Sequence, residues 1–329
     1  MPARPVVFHL LLCLATAGGT ATAHAQEFSA HLGTTGSGSA LSSHYSWQVD
    51  YRQALHRHVA WSLAWINEGH EPSHHRDGLA AQLWAVLPFH SETFSLSFGA
   101  GAYHYFDTRF LPGGTTANIH GWTPVYSLAA TYYTASPWFL RLTANRINRA
   151  NDLETNSLVA GLGYTFGERR TRTRPASRSL ITDHELTLFF GQSIVNTAAS
   201  EEALATAIEF RSGLSPHFEW SAAWINEGDP QIIRRNGFTT QLWLVEAFLD
   251  RSLTLGLGVG PYLLFDRKHT PIPGQDNPRS LAGLVSPTAT LRLSAHWQTR
   301  LTWNRVVSNY NRDADIFLLG LGYRWGDGS

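Results

Sequence analysis

Past residue 25 the chain contains no cysteine and no methionine; its one Cys and one Met are Cys13 and Met1. That excludes a disulfide framework and thiolate chemistry in the remainder. A lipid-anchored start is not expected either, because Cys13 sits inside an apolar run rather than after a lipobox. Charge is scarce: charged residues are 15% of the chain, against about 25% in a typical soluble domain. The formal net charge is zero, which gives no basis for nucleic-acid binding. Beyond the first residues no apolar run is long enough for a spanning helix.

Aromatic residues and glycine are abundant, at 12% of the chain and 28 residues. Residues 1–25 read as a secretory signal. Arg4 supplies the positive start, Val6 to Ala17 the apolar core and Ala23-His24-Ala25 the cleavage site, so cleavage is expected near Ala25. Export, aromatic richness, few charges and no apolar helix together point to an all-β, transmembrane antiparallel β-barrel in the outer membrane of a Gram-negative bacterium. The expected partners are outer-membrane lipid, lipopolysaccharide and the barrel-insertion machinery. No cofactor is expected.

The chain is duplicated. Trp65-Ile66-Asn67-Glu68-Gly69 recurs as Trp224-Ile225-Asn226-Glu227-Gly228, a shift of 159 that also carries Gln82-Leu83-Trp84 onto Gln241-Leu242-Trp243. Gly161-Leu162-Gly163-Tyr164 likewise recurs as Gly320-Leu321-Gly322-Tyr323. Residues 26–167 form the first repeat, 168–183 a basic, Pro-interrupted periplasmic linker, and 184–329 the second repeat.

Period-two alternation divides the first repeat into eight strands, near 27–36, 44–54, 58–68, 77–87, 93–107, 123–133, 138–147 and 156–166. Short turns alternate with longer polar connections, among them Gly69 to Arg76 and Thr108 to Trp122, as periplasmic turns and extracellular loops do. In the fifth strand Phe94, Leu96 and Phe98 share the outer face; Ser95, Ser97 and Gly99 share the inner one. Trp47, Trp61, Trp65, Trp122, Trp138, Trp224, Trp297 and Trp325 mostly read as interfacial girdle residues.

The same parity turns the repeated polar residues inward. Asp50, Glu68 and Asp107 with Arg52, Arg76 and Arg141 correspond to Glu209, Glu227 and Asp266 with Arg211, Arg235 and Arg300. Three acids therefore meet three arginines in each copy, the balance a narrow filled interior requires. Gln82, Trp84 and Asn145, and their counterparts Gln241, Trp243 and Asn304, also face inward. A rim site is one reading, with Glu68, Asp107, Asn145, Glu227, Asp266 and Asn304 as candidates for acid–base work. Arg76, Gln82, Trp84, Arg141, Arg235, Gln241, Trp243 and Arg300 are its candidate binding residues. No nucleophile stands beside them in both copies, so a salt-bridged plug is preferred. The Gly99-x-Gly101 and Gly161-x-Gly163 pairs are expected to let a tight barrel curve.

Two architectures fit: two tandem eight-stranded barrels, or one sixteen-stranded barrel with the linker as a large turn. The linker's length, a closing-strand pattern in each copy and the charge balance within each copy favour two. His70, His74 and His75 crowd one expected loop. The second copy has no histidine there, so a solvated loop is preferred and no metal site is assigned.

The mature chain resembles small eight-stranded outer-membrane barrels taken twice. Over the last three strands of each copy, around Leu140-Arg141-Leu142-Thr143-Ala144-Asn145-Arg146 and Leu301-Thr302-Trp303-Asn304-Arg305, it resembles the lipid A 3-O-deacylase (acyloxyacyl hydrolase) family. That resemblance implies ester hydrolysis by a His–Ser pair. The stretch lacks the His-x-Ser spacing, and no catalytic residue transfers. The expected function is a structural or surface-binding barrel, with a lipid A-modifying hydrolase or acyltransferase, or a sixteen-stranded porin or export channel, as alternatives.

Overall fold

The computed structural model describes residues 25–37, 44–71, 73–89, 93–111, 115–150, 153–166, 184–197, 200–215, 217–230, 233–249, 251–265, 268–269 and 280–326. The expected signal apart from Ala25, the expected 168–183 linker and Asp266 lie outside them. The first eight strands are β1 Gln26–Ser37, β2 His44–His56, β3 Val59–Glu71, β4 His74–Phe89, β5 Phe94–Phe110, β6 Thr116–Tyr133, β7 Trp138–Ala150 and β8 Leu153–Phe166. They close on themselves, β1 pairing β8 from Gln26↔Phe166 to Ser37↔Thr155.

The next ten are β9 His184–Val195, β10 Glu202–Ser215, β11 Phe218–Asn226, β12 Ile233–Arg234, β13 Asn236–Phe248, β14 Leu253–Leu264, β15 Lys268–His269, β16 Leu281–Arg292, β17 Trp297–Val307 and β18 Ala314–Trp325. All but β12 and β15, which pair with each other, form a second closed barrel in which β18 pairs β9. The protein is therefore two tandem eight-stranded transmembrane barrels, and the sixteen-stranded alternative is wrong: each ring satisfies its own edge strands. Closure is what hydrocarbon demands, since an unpaired strand edge has no water to bond.

Alternation is visible in exposure. Leu83, Leu96, Phe98, Leu128 and Leu142 are exposed on the outer face, whereas Gln82, Trp84, Ser97, Ser127 and Thr143 are buried inside. Strand length departs from expectation. The connections expected at 69–76 and 108–122 are largely strand, with His70 paired to His75 and Phe110 to Thr116. Above the membrane a hairpin needs backbone pairing but no apolar alternation, so its polar sequence reads as loop.

One flank of each barrel is covered by the other. Trp65 is 5% exposed while its repeat counterpart Trp224 is 43%; Phe106 and Phe265 differ as 1% and 44%, and Phe248 and Phe89 as 3% and 46%. Trp303 of β17 packs against Trp65 at 4.4 Å and Trp47 at 6.5 Å between ring centroids. At the opposite end Phe248 lies 4.1 Å from Phe166 and 6.4 Å from Tyr51. Trp47 and Trp65 are thus inter-barrel contacts, a correction to their expected girdle role.

Near the outer rim Arg305, facing away from its own lumen, binds Asp315 at 2.6 Å and approaches Asp77 of the first barrel at 3.6 Å. Above it Asn311 donates to the Thr116 carbonyl and accepts from the Asn118 amide. His120 Nε2 lies 3.1 Å from Asp313. Lipid tails are as apolar as leucine, so aromatic packing alone gives little preference for protein over lipid. Charges that hydrocarbon does not solvate determine which flanks meet.

Candidate functional site

The residues that the duplication singles out converge inside the two lumens, stacked in layers. At the turn end of the first barrel Arg141 binds Glu27 and, at 3.2 Å, Asp50; its Nε donates to Thr131 at 2.9 Å. Arg300 of the second barrel repeats this with Glu185 at 2.6 Å, Glu209 at 2.7 Å and Thr290 at 2.9 Å. Glu27 and Glu185 were not among the expected partners. Strict alternation from Glu27 through Ser29 and His31 places them on the inner face.

Above this layer lies an indole. Trp84 Nε1 donates to Ser62 at 2.8 Å, and the Arg52 guanidinium stacks 3.7 Å over its ring. Trp243 does the same with Ser221 at 2.9 Å and Arg211 at 3.6 Å. Both indoles rest on glycine backbone: a Cβ on Gly99 would lie 2.8 Å from Trp84, and one on Gly258 2.7 Å from Trp243. These glycines make room for a ring that fills the lumen, a more specific requirement than strand curvature.

A neutral layer follows. Gln82 donates to Ser127 at 3.0 Å, Ser127 to Asn145 at 2.6 Å, and Asn145 to Gln48 at 3.0 Å. Gln241, Ser286 and Asn304 repeat the first two bonds at 2.9 and 2.6 Å. Asn145 and Asn304 are therefore mid-lumen struts, apart from the rim acids with which they were grouped.

At the rim end Arg76 holds Glu68 through two bonds of 2.8 and 2.5 Å and donates to the Leu153 carbonyl at 3.0 Å. Arg235 holds Glu227 at 2.7 and 2.6 Å and donates to the Arg312 carbonyl at 2.8 Å. The repeated Trp-Ile-Asn-Glu-Gly segment builds this layer. Gly69 and Gly228 take φ of +73° and +77°, and their amides donate to Asn67 and Asn226 at 3.0 and 3.1 Å. The intervening glutamate is thereby aimed inward at its arginine. A Cβ on Gly69 would lie 2.2 Å from the Tyr45 carbonyl oxygen, so glycine is required there.

Asp107 accepts from His74 at 2.8 Å. His74 is buried and faces the lumen in β4, contrary to the solvated loop expected for it. Among the described residues no three metal-ligating side chains converge. Every one of the described candidates Glu68, Asp107, Asn145, Glu227 and Asn304 is buried. Arginine forks and hydroxyls occupy the oxygens of Glu68, Glu227, Asn145 and Asn304, and an imidazole those of Asp107.

Sequence reasoning missed one arrangement with the elements of nucleophilic chemistry. His31 Nε2 lies 2.8 Å from Ser29 Oγ in the first lumen. Both are fully buried, and a Cβ on Gly161 would lie 2.4 Å from the His31 ring. The pair is sealed between strands. Thr187 and Phe189 replace it in the second barrel, two and four residues after Glu185.

No family model matches the chain, and no curated protein matches it. Among solved structures the chain is similar to the N-terminal β-barrel domain of Pseudomonas aeruginosa OprF, at 13% identity over 43% of this chain and 97% of that one, with a TM-score of 0.36. It is similar to Yersinia pestis Ail, solved with the heparin analogue sucrose octasulfate, at 13% identity over 44% and 99%, with a TM-score of 0.35. Neisserial surface protein A is matched at 14% identity over 44% of this chain and 96% of that one, with a TM-score of 0.33.

Proposed function

We propose that this is a non-conducting outer-membrane protein, exported with cleavage near Ala25, whose lumens serve as structural plugs. It acts at the cell surface through its outer rim, in contact with lipopolysaccharide or another envelope partner. The observation that carries the reading is the layered filling of both lumens: ion pairs at each end with an indole and an amide layer between them. An eight-stranded barrel has an interior just wide enough for side chains to fill. In planar bilayers the purified protein is expected to give no discrete channel openings. Stepwise conductance of nanosiemens size would overturn the reading.

A lipid A-modifying enzyme is the second reading, and the Ser29–His31 pair is the one observation in its favour. Catalysis needs the nucleophile within reach of the scissile bond, and this one is enclosed by the lumen. Mass spectrometry of lipid A from cells with and without the protein is expected to show the same acyl pattern. Loss or gain of one acyl chain would establish the enzyme instead.

A further inference from the structure

The arginine, indole and amide layers repeat between the two barrels, whereas the turn ends differ in character. In the first barrel that end is stoppered: Tyr133 donates to Glu27 at 2.9 Å, and its ring lies 5.6 Å from that of the fully buried Phe139. The shift of 159 carries Tyr133 onto Arg292, Phe139 onto Gln298 and Thr165 onto Arg324. The two aromatic residues of the stopper thereby become Arg292 and Gln298, and a second arginine, Arg324, takes the place of a threonine. A cavity of about 250 Å³ opens there, and Arg292, Gln298 and Arg324 line it. Arg211 and Arg300 also line it.

Among the described residues the lining holds five arginines and three glutamates. Arg300 is engaged by Glu185 and Glu209, and Arg211 by Glu209 and, at 3.3 Å, Glu219. Among the described residues, with Glu209 counted, arginines outnumber glutamates there by one. The arginines without a first-barrel equivalent, Arg251, Arg292 and Arg324, stand nearer the strand ends than Arg211 and Arg300. Guanidinium groups present planar forks matched to the two oxygens of a carboxylate or phosphate, and a half-enclosed mouth screens them less than open water does.

We propose that the turn end of the second barrel is a binding site for an oxyanion, a phosphate or carboxylate group presented from the periplasm. This goes beyond the surface role and stands without it. The test is calorimetric titration of the full-length protein in detergent with inorganic phosphate and, separately, with a tricarboxylate. Saturable one-to-one binding of at least one probe is expected. Tighter phosphate binding would indicate a phosphate-bearing lipid or polymer as the source, and tighter tricarboxylate binding a carboxylate-rich peptide.

The first barrel supplies the control. Arg292→Tyr, Gln298→Phe and Arg324→Thr together recreate its stopper and are expected to weaken binding at least tenfold. Retention of the barrel is checked by the heat-dependent gel shift. Should the triple variant not fold, Arg292→Gln alone is expected to weaken binding threefold or more. Absence of saturable binding by either probe, or unchanged affinity in the folded variant, would overturn the proposal.

Discussion

Replacing Arg76 with methionine is expected to destabilise the first barrel by about 3–5 kcal/mol, because Glu68 is left charged, buried and without its cation. Glu68 and Arg76 are each about 1% exposed at the side chain, so water cannot stand in for the lost partner. Replacing both, Glu68→Leu with Arg76→Met, is expected to recover most of the loss, since an apolar pair has no charge to desolvate. Unfolding by urea in lipid vesicles, followed by tryptophan fluorescence, gives both values. A single substitution costing under about 1 kcal/mol would mean that the lumen admits water and behaves like an exposed surface. Arg235 and Glu227 provide the same comparison in the second barrel.

Arg305 is expected to matter as much, although it faces outward. Arg305→Ala leaves Asp77 and Asp315 together at the contact between barrels, under Trp65, Trp303 and Phe106. The expected cost is again of order 3–5 kcal/mol, accompanied by separation of the two barrels. Its counterpart Arg146 is the control. Arg146 binds Glu154 at 2.8 Å with both side chains exposed, and Arg146→Ala is expected to cost no more than about 1 kcal/mol. The readouts are unfolding free energy and energy transfer between dyes placed on the two barrels. Equal effects of the two substitutions would show that the barrels do not meet through this flank.

Period two and the shift of 159 made the barrels, the inward polar set and its pairing in two copies legible from residues alone. Trp84 with Gln82, and Glu68 with Arg76, follow from parity because inner and outer faces differ sharply in polarity. Four things were not legible, each for a physical reason. Parity distinguishes inside from outside but not lipid from a neighbouring protein, so Trp65 and Trp224 look alike in sequence and differ in cover. Asp77, Arg305 and Asp315 break the pattern at outward positions, and only their mutual proximity accounts for them. His74 and the residues after Thr108 carry loop-like composition because strands that rise past the membrane need no apolar face. Asn145 was grouped with the rim acids by chemistry alone; its height along β7 places it in the middle layer.

The central claim is that each repeat closes on itself, and the lack of cysteine beyond residue 25 allows a direct test of it. Leu32 of β1 and Ala160 of β8 are paired across the seam of the first barrel. Opposed residues of antiparallel strands lie at Cα separations of roughly 4.5–5.5 Å, within the span of a disulfide. The protein carrying Leu32→Cys and Ala160→Cys is expected to cross-link on mild oxidation in native membranes. Cross-linking of Ala160→Cys to a cysteine placed in β9, with none to Leu32→Cys, would contradict closure and require a single larger ring.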